Sequence, residues 1–382
     1  MPAFALTAEQ RDLVRDVGQV AAELRPLATA GPCGRVNRDL LRALGERGLL
    51  ARMFAADGTA KAAAMDLCLL RESLAAVSTE AETALALQGL GSYPFLLWGN
   101  PAARNRWRAA VVDGSAVAAF ALSEPGAGSD AAALSLQARP DGRGWRLHGE
   151  KMWISNAPDA DVYTVFARTK PGTGARGITA FVIAGDSPGL GGEHLEMLSP
   201  HPIGRLTFDG VPVGPEEVVG EVDAGFRVAM QTLDLFRPSV GAFALGMAQA
   251  ALDVAIEHTM TREAFGGVLC DQQAVAHKLA DMATRLEAGR LLVYKAASAY
   301  DAGCDRSEIT YRSAMAKLEA TEAAQFVVDT AVQLVGARAL QRGHPLEHLY
   351  RDVRAPRIYE GASEIQRTII SRHLTQLGQE TR

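Results

Sequence analysis

The sequence predicts an α+β chain in three parts: a helical N-terminal domain over 1–115, a central β-barrel or sandwich over 116–222, and a C-terminal four-helix bundle over 223–382. Three observations predict this. Apolar residues recur at helical spacing up to about residue 113. Between Val117 and about Val219 the pattern changes to short apolar runs split by Gly, Pro, Asp and Asn. After Gly225 the helical pattern returns and continues, in segments long enough to need mutual burial.

Each element has a local reason. Thr7 followed by Gln10 is a capping-box pattern opening a helix with Leu13, Val14, Val17 and Val20 on one face. Asn37 can cap the next helix, in which Leu40, Leu41, Leu44 and Leu49 recur. Gly48 and Gly58 punctuate, and further helical patterns cover about 62–77, 80–98 and 101–113. AVAAFAL, WRLHGEKMWIS, VYTVFART, ITAFVIA and GRLTFDGVPV read as strands, separated by EPGAGSD, RPDGRG, NAPDAD, KPGTGARG and GDSPGLGG. The later helices run about 224–260, 269–301, 305–338 and 362–376, with breaks at 265–267, 301–303 and 342–345.

Composition excludes several function classes. With 48% hydrophobic and 22% charged residues, the chain of 382 residues is globular rather than disordered. A net charge of −5 and no basic block leave nucleic-acid binding without an electrostatic footprint. Cys33, Cys68, Cys270 and Cys304 are far apart and form neither a CxxC nor a zinc-spaced cluster, so neither disulfides nor a metal site is expected. No run of 18 apolar residues suggests a membrane span. The acidic start MPAFALTAEQRDLVRD is unlike a secretory or mitochondrial leader, and a cytoplasmic protein is expected.

Five segments carry residues suited to chemistry. FALSEPGAGSDAAA runs from a strand into a loop where Gly126 and Gly128 let backbone N–H groups approach a ligand and Ser123 and Ser129 add donors; it is equally a Gly-rich turn. In GEKMWISNA, Trp153 and Ser155 point the same way along a strand, so an indole face and a hydroxyl can cover a flat ring, or sit as core residues. Arg262, ahead of Phe265-Gly266-Gly267, can grip a phosphate or remain solvated. Asp234 and Arg237 share a helix face and suit a local ion pair. In RIYEGASEIQR, Glu360 stands between a ring and a glycine. A desolvated carboxylate there would have a raised pKa and could act as a base; a helix-start acid is the other reading.

Together these segments closely resemble the acyl-CoA dehydrogenase family of flavoproteins. FALSEPGAGSDAAALSLQA, GEKMWISNA, REAFG with QQAVAHKLADMATRLEAGRLL, and YRDVRAPRIYEGASEIQRTIISRHL carry the resemblance over almost the whole chain. It implies FAD held between the β-domain and the bundle, a homo-oligomer (a dimer or a tetramer of paired dimers), and an electron-transfer flavoprotein as acceptor. Glu360 corresponds to the base that takes the α-proton of an acyl thioester, and its backbone N–H to a donor for the thioester carbonyl. Tyr359 and Gly361 correspond to pocket residues. Trp153 and Ser155 correspond to flavin contacts, and Phe120, Leu122, Ser123, Gly128 and Ser129 to the strand and loop around flavin and pyrophosphate. Arg262, Phe265, Gln273, Gln333 and Gly336 correspond to contacts with the partner subunit's FAD, and Glu364 to a residue near it. Asp234 and Arg237 match residues near the pantetheine and adenine end of CoA, and Leu87 and Leu90 line the acyl pocket together with Ser129. The implied reaction is α,β-dehydrogenation of acyl-CoA to the 2,3-enoyl thioester.

The chain also departs from the family. A Lys-x-Gly-x-Arg-x-Ser type stretch is replaced by LEMLSPHPIGRLTFDG, and RGLLARMFAADGTAKAAAMD lacks Pro-Glu-x-Tyr-Gly-Gly. Leu87 stands where a smaller residue is common, which points to a short or branched acyl chain. An acyl group on an acyl carrier protein is therefore a second candidate substrate. An oxidase or hydroxylase relative and a non-catalytic FAD-stabilised scaffold are further alternatives.

Overall fold

The computed structural model describes residues 5–54 and 63–380. The expected break at Gly58 and the middle of the divergent Arg47–Asp66 stretch lie outside the described residues. The helices are α1 (Ala8–Thr29), α2 (Arg38–Glu46), α3 (Ala64–Ala75), α4 (Thr79–Trp98) and α5 (Pro101–Val112). The strands β1 (Ala118–Ala121), β2 (Gln137–Asp141), β3 (Gly144–Ser155), β4 (Val162–Arg168), β5 (Ile178–Ala184), β6 (Leu190–His194), β7 (Ile203–Val213) and β8 (Val218–Val219) follow. Then come α6 (Gly225–Thr261), the two-residue strands β9 (Glu263–Ala264) and β10 (Gly267–Val268), α7 (Gln273–Asp301), α8 (Arg306–Val335), α9 (Pro345–Asp352) and α10 (Ser363–Glu380). Both expected caps form. Thr7 and Gln10 exchange side-chain-to-backbone bonds of 2.9 and 3.2 Å, and Asn37 accepts from the N–H of Leu40.

The chain forms two compact units. One contains Leu24 to Phe54 and Thr83–Leu233, and its centre is a sheet ordered β6-β7-β3-β2-β4-β5-β8, with β1 joined to β4 in parallel. The sheet ends at β6 and β8, so it is open rather than the closed barrel the strand spacing allowed. β4 and β5 are buried on both faces, which explains their uninterrupted apolar runs. Gly91 of α4 lies so close to β1 that a Cβ there would stand 2.5 Å from the Ala119 nitrogen, and Thr164 of β4 donates to the Gly91 carbonyl at 2.9 Å. β2 and β6, as well as the two-residue strands β8, β9 and β10, escaped the sequence reading. β6 includes the glycines of a supposed separator, because a Cβ at Gly192 would meet the Arg205 carbonyl at 2.6 Å. β2, QARPD, is a short, mostly exposed strand with no apolar alternation to betray it.

The other unit contains α1 up to Glu23, Ala63–Glu82 and Asp234 to the end of α10. Here α6, α7, α8 and α10 make the expected bundle. Close packing follows from small residues: a Cβ at Gly241 would lie 2.8 Å from Val293 and 3.1 Å from Ala320, and one at Gly289 3.0 Å from Leu245. α3 is fastened to α7 by an ion pair of Arg290 with Glu72 at 2.8 Å and a bond from the Tyr294 hydroxyl to Glu72 at 3.0 Å. The Asp301 carboxylate accepts from the N–H groups of Ala64 and Met65, capping the start of α3. By length and composition α6 could cross a bilayer, yet most of its apolar window is buried within the protein, as in a bundle core. α8 stops at Val335, three residues earlier than expected, because Gly336 turns to φ 73° and a 3-10 turn follows.

Candidate active site

In the sheet-containing unit, β3 pairs with β7 but shifts register between Lys151 and Ile154. The shift is a bulge, and Trp153 occupies it with φ 57°. Simple strand alternation is therefore interrupted, and the indole is turned outward, 48% exposed. Ser155 ends the strand with its hydroxyl 3.0 Å from His201 Nε2. Beside Trp153, the N–H of Met152 donates to the Ser123 carbonyl at 3.0 Å, which brings the loop after β1 against β3. That loop closes on itself through paired backbone bonds of 3.1 Å between Glu124 and Ala127. Phe120 packs on Phe166 at 4.9 Å and Leu122 is buried, while Gly128 and Ser129 are exposed.

The loop has a buried anchor that the sequence reading missed. Lys151, fully buried, donates to the Leu122 carbonyl and to Glu124 Oε1, each at 2.8 Å. Glu124 also accepts from the Ser135 N–H and hydroxyl and from the Leu136 N–H. Burial opposes both charges. It takes the Lys151 ammonium down to about 8, whereas Lys151 and the two backbone donors outweigh burial at Glu124 and hold its carboxyl below the usual range.

In the bundle-containing unit, Tyr359, Glu360 and Gly361 form a bend between a 3-10 turn over Ala355–Arg357 and the start of α10. Glu360 is three residues ahead of Ser363, so it is not a helix-start acid. Glu360 has φ 50° and Gly361 φ 93°, consecutive left-handed residues. Three helices hold this turn by its carbonyls. Arg237 Nε of α6 and Gln366 Nε2 of α10 donate to the Glu360 carbonyl at 3.4 and 3.2 Å. Lys317 Nζ of α8 and Gln366 Nε2 donate to the Gly361 carbonyl at 2.7 and 2.8 Å. Glu360 as a residue is half-buried, but its Oε2 is buried and has no hydrogen-bond partner among the described residues. Burial raises its pKa, opposed by the cations Arg71, Arg237 and Lys317.

Asp234 and Arg237 form the expected ion pair, at 3.4 Å, and it is buried. Thr310 donates to Asp234 at 3.1 Å. Through Arg237 the pair thus reaches the turn that bears Glu360. Arg262, Phe265, Gln273, Gln333, Gly336 and Glu364 are all exposed, Phe265 to 91%. Leu87 and Leu90 are partly buried on α4. Besides the Lys151–Glu124 anchor, the sequence reading missed His201, Arg71, Glu82, Ser239, Lys317 and Gln366. For all of these but His201, which lies in the loop before β7, polar residues inside helical runs were the available signal.

A raised carboxylate without a partner can accept a proton from carbon, and an exposed indole beside a glycine loop can take a flat ring. Residues 7–115, 119–211 and 223–375 match the family models for the acyl-CoA dehydrogenase N-terminal, middle and C-terminal domains. The chain belongs to the acyl-CoA dehydrogenase family. It is 42% identical over 284 residues to the mitochondrial short-chain specific acyl-CoA dehydrogenase of Bos taurus, spanning 74% of this chain and 68% of that protein. The structure of butyryl-CoA dehydrogenase from Megasphaera elsdenii superposes with TM-score 0.91 at 32% identity, over 97% of this chain and 99% of that one. PigA with FAD and proline gives TM-score 0.92 at 26% identity over the same shares.

As a member of this family the protein is a flavin-dependent oxidoreductase of acyl-CoA, with FAD as cofactor. The residues present fit that group. A Cβ at Gly126 or Gly128 would meet nothing within 4 Å, so the loop is open to a ligand, and the Trp153 indole stands outward next to it.

Proposed function

We propose that this dehydrogenase oxidises a short acyl thioester, with Glu360 as the base that takes the α-proton. The observation that carries the reading is the buried Oε2 of Glu360, without a hydrogen-bond partner among the described residues, on a turn fixed from α6, α8 and α10. The arrangement holds a strong base in place and leaves one oxygen free for a C–H proton. Trp153, Ser155, Phe120, Leu122, Ser123, Gly128 and Ser129 would hold the FAD, which when bound supplies the two-electron acceptor. Tyr359 and Gly361 border the carboxylate, and the Glu360 N–H is the proposed donor to the thioester oxygen. The exposed set Arg262, Phe265, Gln273, Gln333, Gly336 and Glu364 is proposed to contact FAD across a homo-oligomer, and the reoxidant is proposed to be an electron-transfer flavoprotein.

Anaerobic mixing of the FAD-loaded protein with butyryl-CoA tests the reading. Flavin absorbance should bleach, and Glu360→Gln should slow bleaching by about 10²–10⁴-fold. Unchanged bleaching in that variant would defeat it. A second reading has its own observation. Asp234 and Arg237, the pair expected at the CoA end, are buried at the base. An acyl group on the phosphopantetheine arm of a carrier protein needs no nucleotide contacts, so faster bleaching by a carrier-bound thioester than by its CoA counterpart would favour it.

A further inference from the structure

Glu360 carries a Cβ and yet stands at φ 50°, followed by Gly361 at φ 93°. Left-handed backbone is unfavourable for such a residue and lasts only where its surroundings hold it. The bonds from Arg237, Lys317 and Gln366 fix the turn at the Glu360 and Gly361 carbonyls. Its two flanks are fixed by a different side chain, Glu322 of α8. Glu322 Oε1 accepts from the Ser363 hydroxyl at 2.7 Å, and Oε2 pairs with Arg357 Nη2 at 2.8 Å.

Arg357 and Ser363 stand at equal distances along the chain on either side of Glu360. An extended run of that length would span roughly 20 Å. Here both of its ends meet the oxygens of one carboxylate, so the run doubles back with Glu360 at its middle. Arg357 Nε is buried and has no hydrogen-bond partner among the described residues, so the guanidinium depends on Glu322 for its place. Ser363 is buried at the first position of α10. The Glu322 and Arg357 side chains are 29% and 30% exposed and line a cavity of about 450 Å³. An ion pair so wetted adds little to stability. What it supplies is shape.

The charges that act on the Glu360 carboxylate are Arg71 of α3, Arg237 of α6 and Lys317 of α8. Arg71 is paired with Glu82 and donates to the Ser239 hydroxyl at 2.7 Å, and Arg237 is paired with Asp234. Glu322 bonds neither the carboxylate nor the carbonyl of Glu360, and so reaches it through the backbone.

We infer that Glu322 is a positioning residue for the proton transfer: with one oxygen on each flank it clamps residues 357–363 and keeps the Glu360 carboxylate in its buried orientation. This inference rests on Glu360 being the base.

The test is anaerobic stopped-flow reduction of the FAD-loaded protein by butyryl-CoA across pH 5–9. Ser363→Ala and Arg357→Met should each lower the limiting rate by about tenfold, and Glu322→Ala by about 10²-fold. The butyryl-CoA dissociation constant should stay within about threefold of wild type, because the clamp serves the chemical step and not binding. Adding Arg357→Met to Glu322→Ala should cost less than about a further twofold, since both remove the same bond. A loosened turn lets water reach Oε2, which relieves the burial that raises the Glu360 pKa, so the acidic limb should move to lower pH. Removing the Arg357 cation would by charge alone move that limb to higher pH, and Ser363→Ala changes no charge. A downward shift in both variants is therefore the mark of geometry.

A wild-type rate in Glu322→Ala, additive losses in the double variant, or an acidic limb that stays put or rises overturns the inference and leaves the dehydrogenase reading intact. If Glu322→Ala does not fold, Ser363→Ala decides alone by the same rate and limb. Unchanged reduction in Glu360→Gln, or no reduction of the wild-type flavin, overturns the dehydrogenase reading and this inference with it.

Discussion

Lys151 Nζ stands 2.8 Å from Glu124 Oε1 inside the sheet-containing unit, with both side chains closed off from solvent. This bond joins strand β3, which presents Trp153, to the loop of Gly126, Gly128 and Ser129. Lys151→Met strands a buried carboxylate, and such losses cost about 3–5 kcal/mol. Denaturant unfolding should show that loss. Titration of the apoprotein with FAD should show weaker binding, because the loop is no longer tied to the strand. Lys151→Met with Glu124→Leu should recover most of the stability but not the FAD affinity.

The pH dependence of flavin reduction should report Glu360. Burial raises its pKa, so the rate should fall as pH drops through a value above the ordinary ~4.3 of a glutamate. The same burial favours the protonated fold, and that contribution to stability is lost as pH rises through the raised value. Lys317→Met removes a cation that favours the carboxylate, so the acidic limb should move to higher pH. It also removes the bond to the Gly361 carbonyl, so the plateau rate should fall by about tenfold or more. Stopped-flow reduction across pH 5–9 would check both effects.

Gly361→Ala should harm the rate more than the fold. A Cβ would stand 2.6 Å from Gln366 Nε2, the atom that secures two carbonyls of the turn, at φ 93°. Left-handed backbone costs about 1–2 kcal/mol for a non-glycine residue, so the melting temperature should drop by a few degrees. Displacement of the Glu360 carboxylate should lower the reduction rate by about 10²-fold if it is the proposed base.

If the chain forms the proposed homo-oligomer, Phe265→Asp should lower its mass in light scattering. A phenylalanine 91% exposed on the β9–β10 hairpin has no packing role within its own chain, so unfolding should change by less than about 0.5 kcal/mol. FAD affinity should fall with the mass if this ring reaches the partner's cofactor.

The three-part order, the capped helices and the strands β1, β3, β4, β5 and β7 were legible because periodicity and turn residues report local structure. β6 was hidden by its glycines, which pack against β7 and read as a loop when taken alone. The site divided in the same way. Glu360, Trp153 and the glycine loop announce themselves by odd neighbours. Arg71, Glu82, Lys151, Lys317 and Gln366 look like ordinary polar positions of helices or strands, and only tertiary packing reveals that they are buried and what they bond. Asp234 and Arg237 showed their pairing through a spacing of three, but the spacing says nothing about the Glu360 carbonyl to which Arg237 donates.

The turn bearing Glu360 belongs to no helix, and it is tied down by side chains from three of them. Its shape is therefore a property of how α6, α8 and α10 pack, not of any backbone ladder. During denaturation, a loosened state that keeps its helices but loses side-chain order would disarm the carboxylate first. Activity should vanish before the far-ultraviolet circular dichroism changes, which makes this glutamate a built-in sensor of the bundle's tertiary order.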